Sequence, residues 1–183
     1  MAESTSSIAR AFRERPIATL LSTGFGVGLS PVAPGTAGSL LALGLAAGAV
    51  ALLHRSQHTP GSMAVSLGLL MSGLAVFAIG VPLTTRASRA IGGKDPAVIV
   101  LDEISGQWIA CSAVPLFAFA SPLRGALLWL ISFLAFRLFD VWKPGPIHAL
   151  QELPDGLGIM VDDVLAGALA AGVTLAAGKA LGG

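Results

Sequence analysis

The chain consists of long apolar stretches separated by short polar ones, and the apolar stretches contain no Asp, Glu, Lys or Arg. The main uncharged stretches are residues 16–54, 56–85, 104–123, 125–136 and 164–178. A helix that spans a bilayer needs roughly 20 mostly apolar residues. The pattern therefore predicts membrane spans at 38–54, 62–83, 104–121, 124–141 and 160–180.

These spans predict an all-α fold, a polytopic helical membrane bundle of about four to five spans. Pro115 lies inside the third span and should kink it. Small residues four positions apart let helix backbones approach each other in lipid, so such pairs predict contacts between helices. The pairs in question are Gly44 with Gly48, Gly68 with Ser72, and Gly167 with Ala171.

The overall composition agrees with a membrane protein. Hydrophobic residues make up 54% of the chain and charged residues only 11%, whereas soluble domains carry about a quarter charged residues. The length of 183 residues favours one domain, placed at 16–183 after an interfacial or disordered segment at 1–15. A net charge of +1 excludes a strongly basic nucleic-acid binder, and the single Cys111 excludes an intramolecular disulfide.

The distribution of basic residues predicts the orientation. With a cytoplasmic N-terminus and five spans, eight Lys and Arg residues lie on or near the inner face and three lie outside. The inner group is Arg10, Arg13, Arg15, Arg86, Arg89, Lys94, Arg137 and Lys143, and the outer group is Arg55, Arg124 and Lys179. Basic residues of short loops favour the cytoplasmic side. We therefore expect the four polar segments that share the inner face to look toward the cytoplasm.

The first of these segments, residues 24–39, is rich in glycine and proline. Thr36 or Ser39 is predicted to cap the N-terminus of the first span. A helix N-terminus with free amides is an anion site, which is suited to phosphate. A plain capping loop without a ligand explains the same residues equally well.

The other three segments, 94–106, 136–147 and 156–167, carry charged residues at span ends. Adjacent carboxylates, Asp102 with Glu103 and Asp162 with Asp163, are predicted at the entrances of two spans. Each pair alone could serve only to complement a helix N-terminus, and Arg137 could simply pair with Asp140. Four carboxylates near lipid are costly, however, unless they bind something.

Together these residues suit metal-assisted phosphoryl chemistry. Carboxylate oxygens are ligands for Mg²⁺, so Asp102, Glu103, Asp162 and Asp163 are the candidate catalytic and metal-binding residues. Arg and Lys bind phosphate oxygens. The candidate substrate-binding residues are Thr36, Ser39, Arg137 and Lys143, with Asp95 and Asp140 as second choices that would orient the basic side chains.

Three other phosphatase chemistries are excluded by the residues present. Phe117 stands where a Cys111-based loop would need Arg, and Trp142 stands where an Asp140-based haloacid-dehalogenase pattern would need Asp. Asp95 stands where a phosphohistidine enzyme with Ser88-Arg89 would need His. The mechanism left is attack on phosphorus by water or by a carboxylate.

The four segments resemble the phosphatidylglycerophosphatase A family of bacterial lipid phosphatases over about residues 16–175. The motifs are Pro31-Val-Ala-Pro-Gly-Thr-Ala-Gly-Ser-Leu40, Asp95-Pro through Gly106, Phe136-Arg-Leu-Phe-Asp-Val-Trp-Lys-Pro-Gly-Pro-Ile147, and Gly158-Ile-Met-Val-Asp-Asp163 with Ala166-Gly167. The resemblance implies an all-α fold, dependence on Mg²⁺ and a phospholipid monoester substrate at the inner leaflet.

The function expected is therefore Mg²⁺-dependent hydrolysis of the terminal phosphomonoester of phosphatidylglycerophosphate, at the cytoplasmic face of the bacterial inner membrane. The partners expected are this lipid and the membrane, with no nucleic acid, and the oligomeric state is not specified. The competing hypothesis is a small ion-coupled transporter or channel that uses membrane carboxylates as an ion path. A transporter would place its charges near the middle of the bilayer.

Overall fold

The computed structural model describes residues 5–55, 61–118, 121–145 and 149–182, and no β-strand occurs among them. The helices, labelled in chain order, are α1 Thr5–Glu14, α2 Pro16–Ser22, α3 Pro34–Arg55, α4 Ser62–Ile91, α5 Leu101–Cys111, α6 Pro115–Ala118, α7 Pro122–Trp142 and α8 Asp155–Ala180. A 3₁₀ turn at Val27–Leu29 lies between α2 and α3. The predicted all-α fold is confirmed.

Four of these helices, α3, α4, α7 and α8, are long and apolar enough to cross a membrane. They have 22, 30, 21 and 26 residues, and at about 1.5 Å per residue each exceeds the roughly 30 Å of a bilayer core. The last span begins earlier than predicted, at Asp155 instead of residue 160. Asp162 and Asp163 therefore lie two turns inside α8 and do not cap its N-terminus.

The third predicted span, 104–121, is wrong as a single helix. The α5 helix ends at Cys111, and α6 begins at Pro115 after a turn. Proline has no backbone N–H to donate to the preceding turn. The helix ends in a tighter turn, in which the Val114 amide donates to the Cys111 carbonyl at 3.0 Å.

The α5–α6 pair nevertheless crosses the bundle in parallel with α8. Gly106 of α5 lies beside Gly167, and Phe117 of α6 lies beside Gly178. Residues 167–178 of a continuous helix advance by about 16 Å. The broken pair therefore runs beside α8 over a comparable distance, in addition to the four helices that are long enough to cross a membrane.

Two ends of the bundle can be distinguished by their contacts. At one end Arg137 of α7 contacts Ser39 of α3, and Arg89 of α4 contacts Asp155 of α8. We call this the polar end. At the opposite end, Arg124 at the start of α7 donates to the carbonyls of Gly178 and Gly182, at 2.8 and 2.9 Å.

A close helix crossing joins α5 and α8. A Cβ atom built on Gly167 would meet the backbone of Gly106, and one built on Gly106 would meet the Asp163 carbonyl and the ring of Phe136. The predicted helix contact at Gly167 is thus confirmed. The contacts predicted at Gly44, Gly48 and Gly68 are wrong, because nothing lies within 4 Å of a Cβ atom there. Those glycines face outward.

The N-terminal segment, expected to be interfacial or disordered, is helical over Thr5–Glu14. Ala11 is completely buried and packs with Ala87, Ala90 and Ile91 of α4, with Ile8 alongside. The guanidinium of Arg10, the residue before Ala11, donates to the Ala90 carbonyl at 3.1 Å. Helix α1 is therefore attached to the polar end of the bundle.

The α5–α8 crossing gives a stability prediction. Gly167→Ala should lower the melting temperature of the purified protein in detergent by several degrees, because an overpacked contact costs about 1–3 kcal/mol and each kcal/mol corresponds to about 2–4 °C at this size. Gly172→Ala is the matched control on the same helix, since its Cβ would meet nothing within 4 Å. Equal melting temperatures for the two variants would contradict the close crossing.

Candidate active site

A cavity of about 370 Å³ opens at the polar end. It is formed by the start of α3, the loop before α5, the first turn of α5, the end of α7 and the middle of α8. The lining residues are Ala33, Pro34, Gly35, Thr36, Asp95, Ala97, Ile99, Asp102, Glu103, Arg137, Asp140, Val141, Lys143 and Asp163. Polar segments that are far apart in the sequence therefore converge on one cavity, as predicted.

The main feature of the cavity is a cluster of three carboxylates. Asp102, Glu103 and Asp163 each offer one oxygen, and these three oxygens lie within 4.8 Å of one another. Asp102 and Asp163 are buried, and Glu103 is nearly so. In addition, Asp102 Oδ1, Glu103 Oε2 and Asp163 Oδ2 are buried without a hydrogen-bond partner in the part of the chain described. This arrangement can hold a divalent cation.

The glycine crossing explains why these carboxylates meet. Gly106 follows Asp102 by four residues and Gly167 follows Asp163 by four, so each glycine lies on the same helix face as its carboxylate, one turn further along. Because Gly106 and Gly167 touch through their backbones, the two parallel helices are close where the carboxylates point at each other.

Burial also perturbs the two acids in the first turn of α5, a helix that is not among the four long enough to cross a membrane. Burial raises the pKa of Asp102 well above its usual range, and the charges of Glu103 and Asp163 raise it further. Burial raises the pKa of Glu103 to about 7, although the Asp102 hydrogen bond and the Arg137 charge oppose this change. The cluster is therefore short of positive charge.

Arg137 lies on the cavity wall between α3, α5 and α7. Its guanidinium pairs with Asp140 at 2.5 Å, donates to the Ser39 hydroxyl at 3.2 Å and lies 4.0 Å from Glu103. A Cβ atom at Gly35 would collide with the Glu103 carboxylate. Gly35, which was not among the predicted residues, therefore leaves the space in which Glu103 and Arg137 meet.

Lys143 pairs with Asp162, which is the predicted acid of α8 that lies outside the three-carboxylate cluster. Its ammonium donates to Asp162 at 2.6 Å and lies 3.9 Å from Asp140. Lys143 ends α7 with a left-handed backbone, φ 46°, which turns the chain so that this side chain reaches α8. Asp162 therefore contacts Lys143, and the three-carboxylate cluster consists of Asp102, Glu103 and Asp163.

The capping role predicted for Thr36 or Ser39 is wrong. The α3 helix begins at Pro34, since proline is well suited to the first helical position. Both residues therefore lie inside the first turns of the helix. The Ser39 hydroxyl donates to the Gly35 carbonyl at 2.9 Å and accepts from Arg137. Thr36 lines the cavity, and Ser39 reaches it through Arg137.

Asp95 connects the cavity with a second one of about 220 Å³. The second cavity has the polar side chains of Lys94, Gln151, Glu152 and Asp155 in its wall. Lys94 pairs with Glu152 at 3.0 Å, which ties the loop before α5 to the loop before α8. Asp95 is therefore on the side of the site that faces water.

The comparison with known families agrees with this geometry. The family model for phosphatidylglycerophosphatase A matches residues 20–178, a range that includes every residue that lines the cavity. The chain belongs to the phosphatidylglycerophosphatase A family. It is accordingly an enzyme, a phosphoric monoester hydrolase, and the transporter hypothesis is left without support.

Curated relatives cover most of the chain. The phosphatidylglycerophosphatase A of Escherichia coli strain K12 is 36% identical over 84% of this chain and 79% of its own length, and that of Haemophilus influenzae is 37% identical over 80% of each. A putative phosphatidylinositol-3-phosphatase of Bacteroides thetaiotaomicron is 33% identical over 81% of this chain and 85% of its own length. No solved structure gives a significant match.

The carboxylate cluster of this phosphatidylglycerophosphatase A family member should cost stability when no cation is bound. In a chelator at pH 8, Asp163→Asn should raise the melting temperature in detergent by a few degrees, because it removes one of three carboxyl groups that lie within 4.8 Å of one another and a gain of about 1 kcal/mol corresponds to about 2–4 °C.

Asp155→Asn is the control for this stability prediction, since Asp155 makes an exposed pair with Arg89 and exposed pairs contribute at most about 1 kcal/mol. This variant should melt at the same temperature as the unsubstituted protein or slightly below it. A lower melting temperature for Asp163→Asn in chelator would show that the carboxylate is satisfied without a cation.

Proposed function

We propose that this protein hydrolyses the terminal phosphomonoester of phosphatidylglycerophosphate to phosphatidylglycerol and phosphate, with Mg²⁺ held by Asp102, Glu103 and Asp163, at the cytoplasmic face of the membrane. The observation that carries the proposal is the position of three buried carboxylates in the same cavity as Arg137 and Lys143. Enzymes that transfer phosphoryl groups commonly place a metal ion beside basic side chains that hold the phosphate. The carboxylate cluster with Arg137 and Lys143 would provide both parts.

The chemistry of the three carboxylates fits Mg²⁺. Mg²⁺ prefers oxygen ligands and commonly keeps several waters while it bridges to substrate phosphate. Asp102, Glu103 and Asp163 supply three such oxygens next to an open cavity, and each also has a buried oxygen without a hydrogen bond among the described residues. When bound, the ion would polarise the phosphate and lower the pKa of a bound water.

The basic residues would hold the phosphate against that site. The planar guanidinium of Arg137 can bind two phosphate oxygens at once, and the Lys143 ammonium acts as a point charge. Asp140 lies between them, 2.5 Å from Arg137 and 3.9 Å from Lys143, and Asp162 holds Lys143 from the other side. Asp140 and Asp162 therefore act as orienters of the two cations.

The substrate class is supported by the names of the relatives. Two are phosphatidylglycerophosphatases and the third is a putative phosphatidylinositol-3-phosphatase, so all three are named for a phosphomonoester on a phospholipid headgroup. We assign the glycerophosphate headgroup to this chain because the family model carries the same name.

The proposed experiment measures phosphate release from phosphatidylglycerophosphate as Mg²⁺ is varied. Asp102→Asn, Glu103→Gln and Asp163→Asn should each lower kcat/KM by two or more orders of magnitude, because the amide keeps the shape but loses the charge that holds a hard cation. Raised Mg²⁺ should partly restore activity where only affinity was lost.

Asp155→Asn is again the matched control for the activity assay, because its carboxylate lies outside the cluster, and its Mg²⁺ dependence should match that of the unsubstituted protein. Full activity of all three cluster variants at low Mg²⁺ would overturn the metal site while leaving the family assignment intact.

The orientation is supported by the basic residues. The eight of the inner group lie at or near the polar end, whereas Arg55, Arg124 and Lys179 lie toward the opposite end. Basic loops favour the cytoplasm, which would place the cavity at the inner leaflet.

Cysteine labelling tests this orientation with two exposed positions, Glu152 at the polar end and Lys179 at the opposite end. A membrane-impermeant maleimide should label Lys179→Cys in intact spheroplasts and Glu152→Cys only after permeabilisation. The native Cys111 is completely buried, so the unsubstituted protein serves as the blank. The reverse pattern would place the site on the outer leaflet.

A further inference from the structure

The active-site cavity has two different sides. Toward Asp95 it adjoins the second cavity, whose wall carries the exposed Lys94–Glu152 ion pair. Charged side chains of this kind are unsuited to acyl chains, because an ion pair that faces hydrocarbon loses its hydration. This side suits water and free phosphate.

The opposite side is apolar. Val141 at the end of α7 lines the cavity and is nevertheless 73% exposed. Its neighbours on the outer surface of α7, Leu138 and Trp142, are 58% and 68% exposed. Ala33, which immediately precedes α3, also lines the cavity, and Val32 before it is 77% exposed. The cavity rim between α3 and α7 therefore consists of exposed apolar side chains.

The two faces of α7 explain how the polar and apolar surfaces meet. Arg137 and Asp140 are three residues apart and face the cavity, whereas Leu138 and Val141 are each one residue later, rotated by about 100° around the helix. The exposed face continues away from the cavity at intervals of three or four residues. It consists of Leu127, Leu130, Leu134, Leu138 and Val141.

These five exposed residues form an apolar stripe along α7. The stripe gives a continuous apolar path from the lipid-facing surface of α7 to the cavity rim. A diacyl lipid matches this arrangement, because its phosphate can bind Arg137 while its acyl chains stay in contact with apolar side chains. Each buried CH₂ group contributes about 0.8 kcal/mol, so chains that stay beside the stripe need not leave an apolar environment when the headgroup enters the cavity.

We propose that the lipid enters sideways between the N-terminus of α3 and the C-terminus of α7, with its acyl chains against Val32, Leu138, Val141 and Trp142. The proposal rests on the proposed phosphatase function and adds the path by which the substrate reaches the site. The released phosphate leaves by the Asp95 side, and the dephosphorylated lipid returns to the bilayer along α7.

Surface-dilution kinetics in mixed micelles test the path. Leu138→Gln and Trp142→Gln should raise KM, expressed as the mole fraction of substrate, by three- to tenfold while kcat changes by less than twofold. Ile79→Gln is the control, because Ile79 is 62% exposed on α4 and the substitution removes apolar surface from a helix outside the proposed path. An unchanged KM in both α7 variants, or an equal rise in the control, would overturn the path.

Photo-cross-linking of the unsubstituted protein provides a second measurement that needs no variant. A non-hydrolysable phosphonate analogue of the substrate, with a diazirine near the start of one acyl chain, should label peptides that contain residues 29–33 or 138–142, and unlabelled substrate should compete. Competed label confined to other helices would overturn the path. The proposed hydrolysis of the lipid would stand in that case, since it is overturned by a different result, the absence of phosphate release from the lipid by the unsubstituted protein.

Discussion

The contact between Gly106 and Gly167 is the feature on which the site depends. Any side chain at either position would push α5 away from α8, because each glycine lies against the backbone of the other helix. Asp102 and Asp163 lie one turn before these glycines on the same faces, so the separation of the helices sets the separation of the carboxylates. The carboxylate cluster is thus a consequence of close helix packing in an apolar bundle.

That packing places negative charge where it is costly. Asp102, Glu103 and Asp163 share a buried cluster, and burial raises the pKa of Asp102 and Glu103. Arg137 and Lys143 compensate only part of this charge, since their closest carboxylates are Asp140 and Asp162. A bound divalent cation would supply the missing positive charge, so the predicted instability of the free cluster and the proposed affinity for Mg²⁺ would have the same physical origin.

The sequence was most informative at its charged residues, because charges are costly in an apolar membrane chain and therefore indicate a function. It predicted the fold class and the convergence of the four polar segments. It also singled out Asp102, Glu103, Asp163, Arg137 and Lys143, which line one cavity, and their roles stay predictions. It predicted a kink at Pro115 but not the complete break between Cys111 and Pro115, because hydropathy alone does not distinguish a broken helix from a continuous one. It also wrongly predicted Thr36 or Ser39 as the N-cap of a helix, because short polar residues near a helix start resemble caps. The helix begins earlier, at Pro34. The pairing of Asp162 with Lys143 depends on the backbone turn at Lys143, which no spacing rule reveals.

The central claim is that one divalent cation binds between α5 and α8. Anomalous diffraction from crystals of the protein with Mn²⁺ in place of Mg²⁺ tests it most directly. The account predicts a single strong peak about 2.0–2.3 Å from one oxygen each of Asp102, Glu103 and Asp163, which disappears in Asp163→Asn at the same Mn²⁺ concentration. A cluster without a peak, in crystals of protein that is active with Mn²⁺, would contradict it.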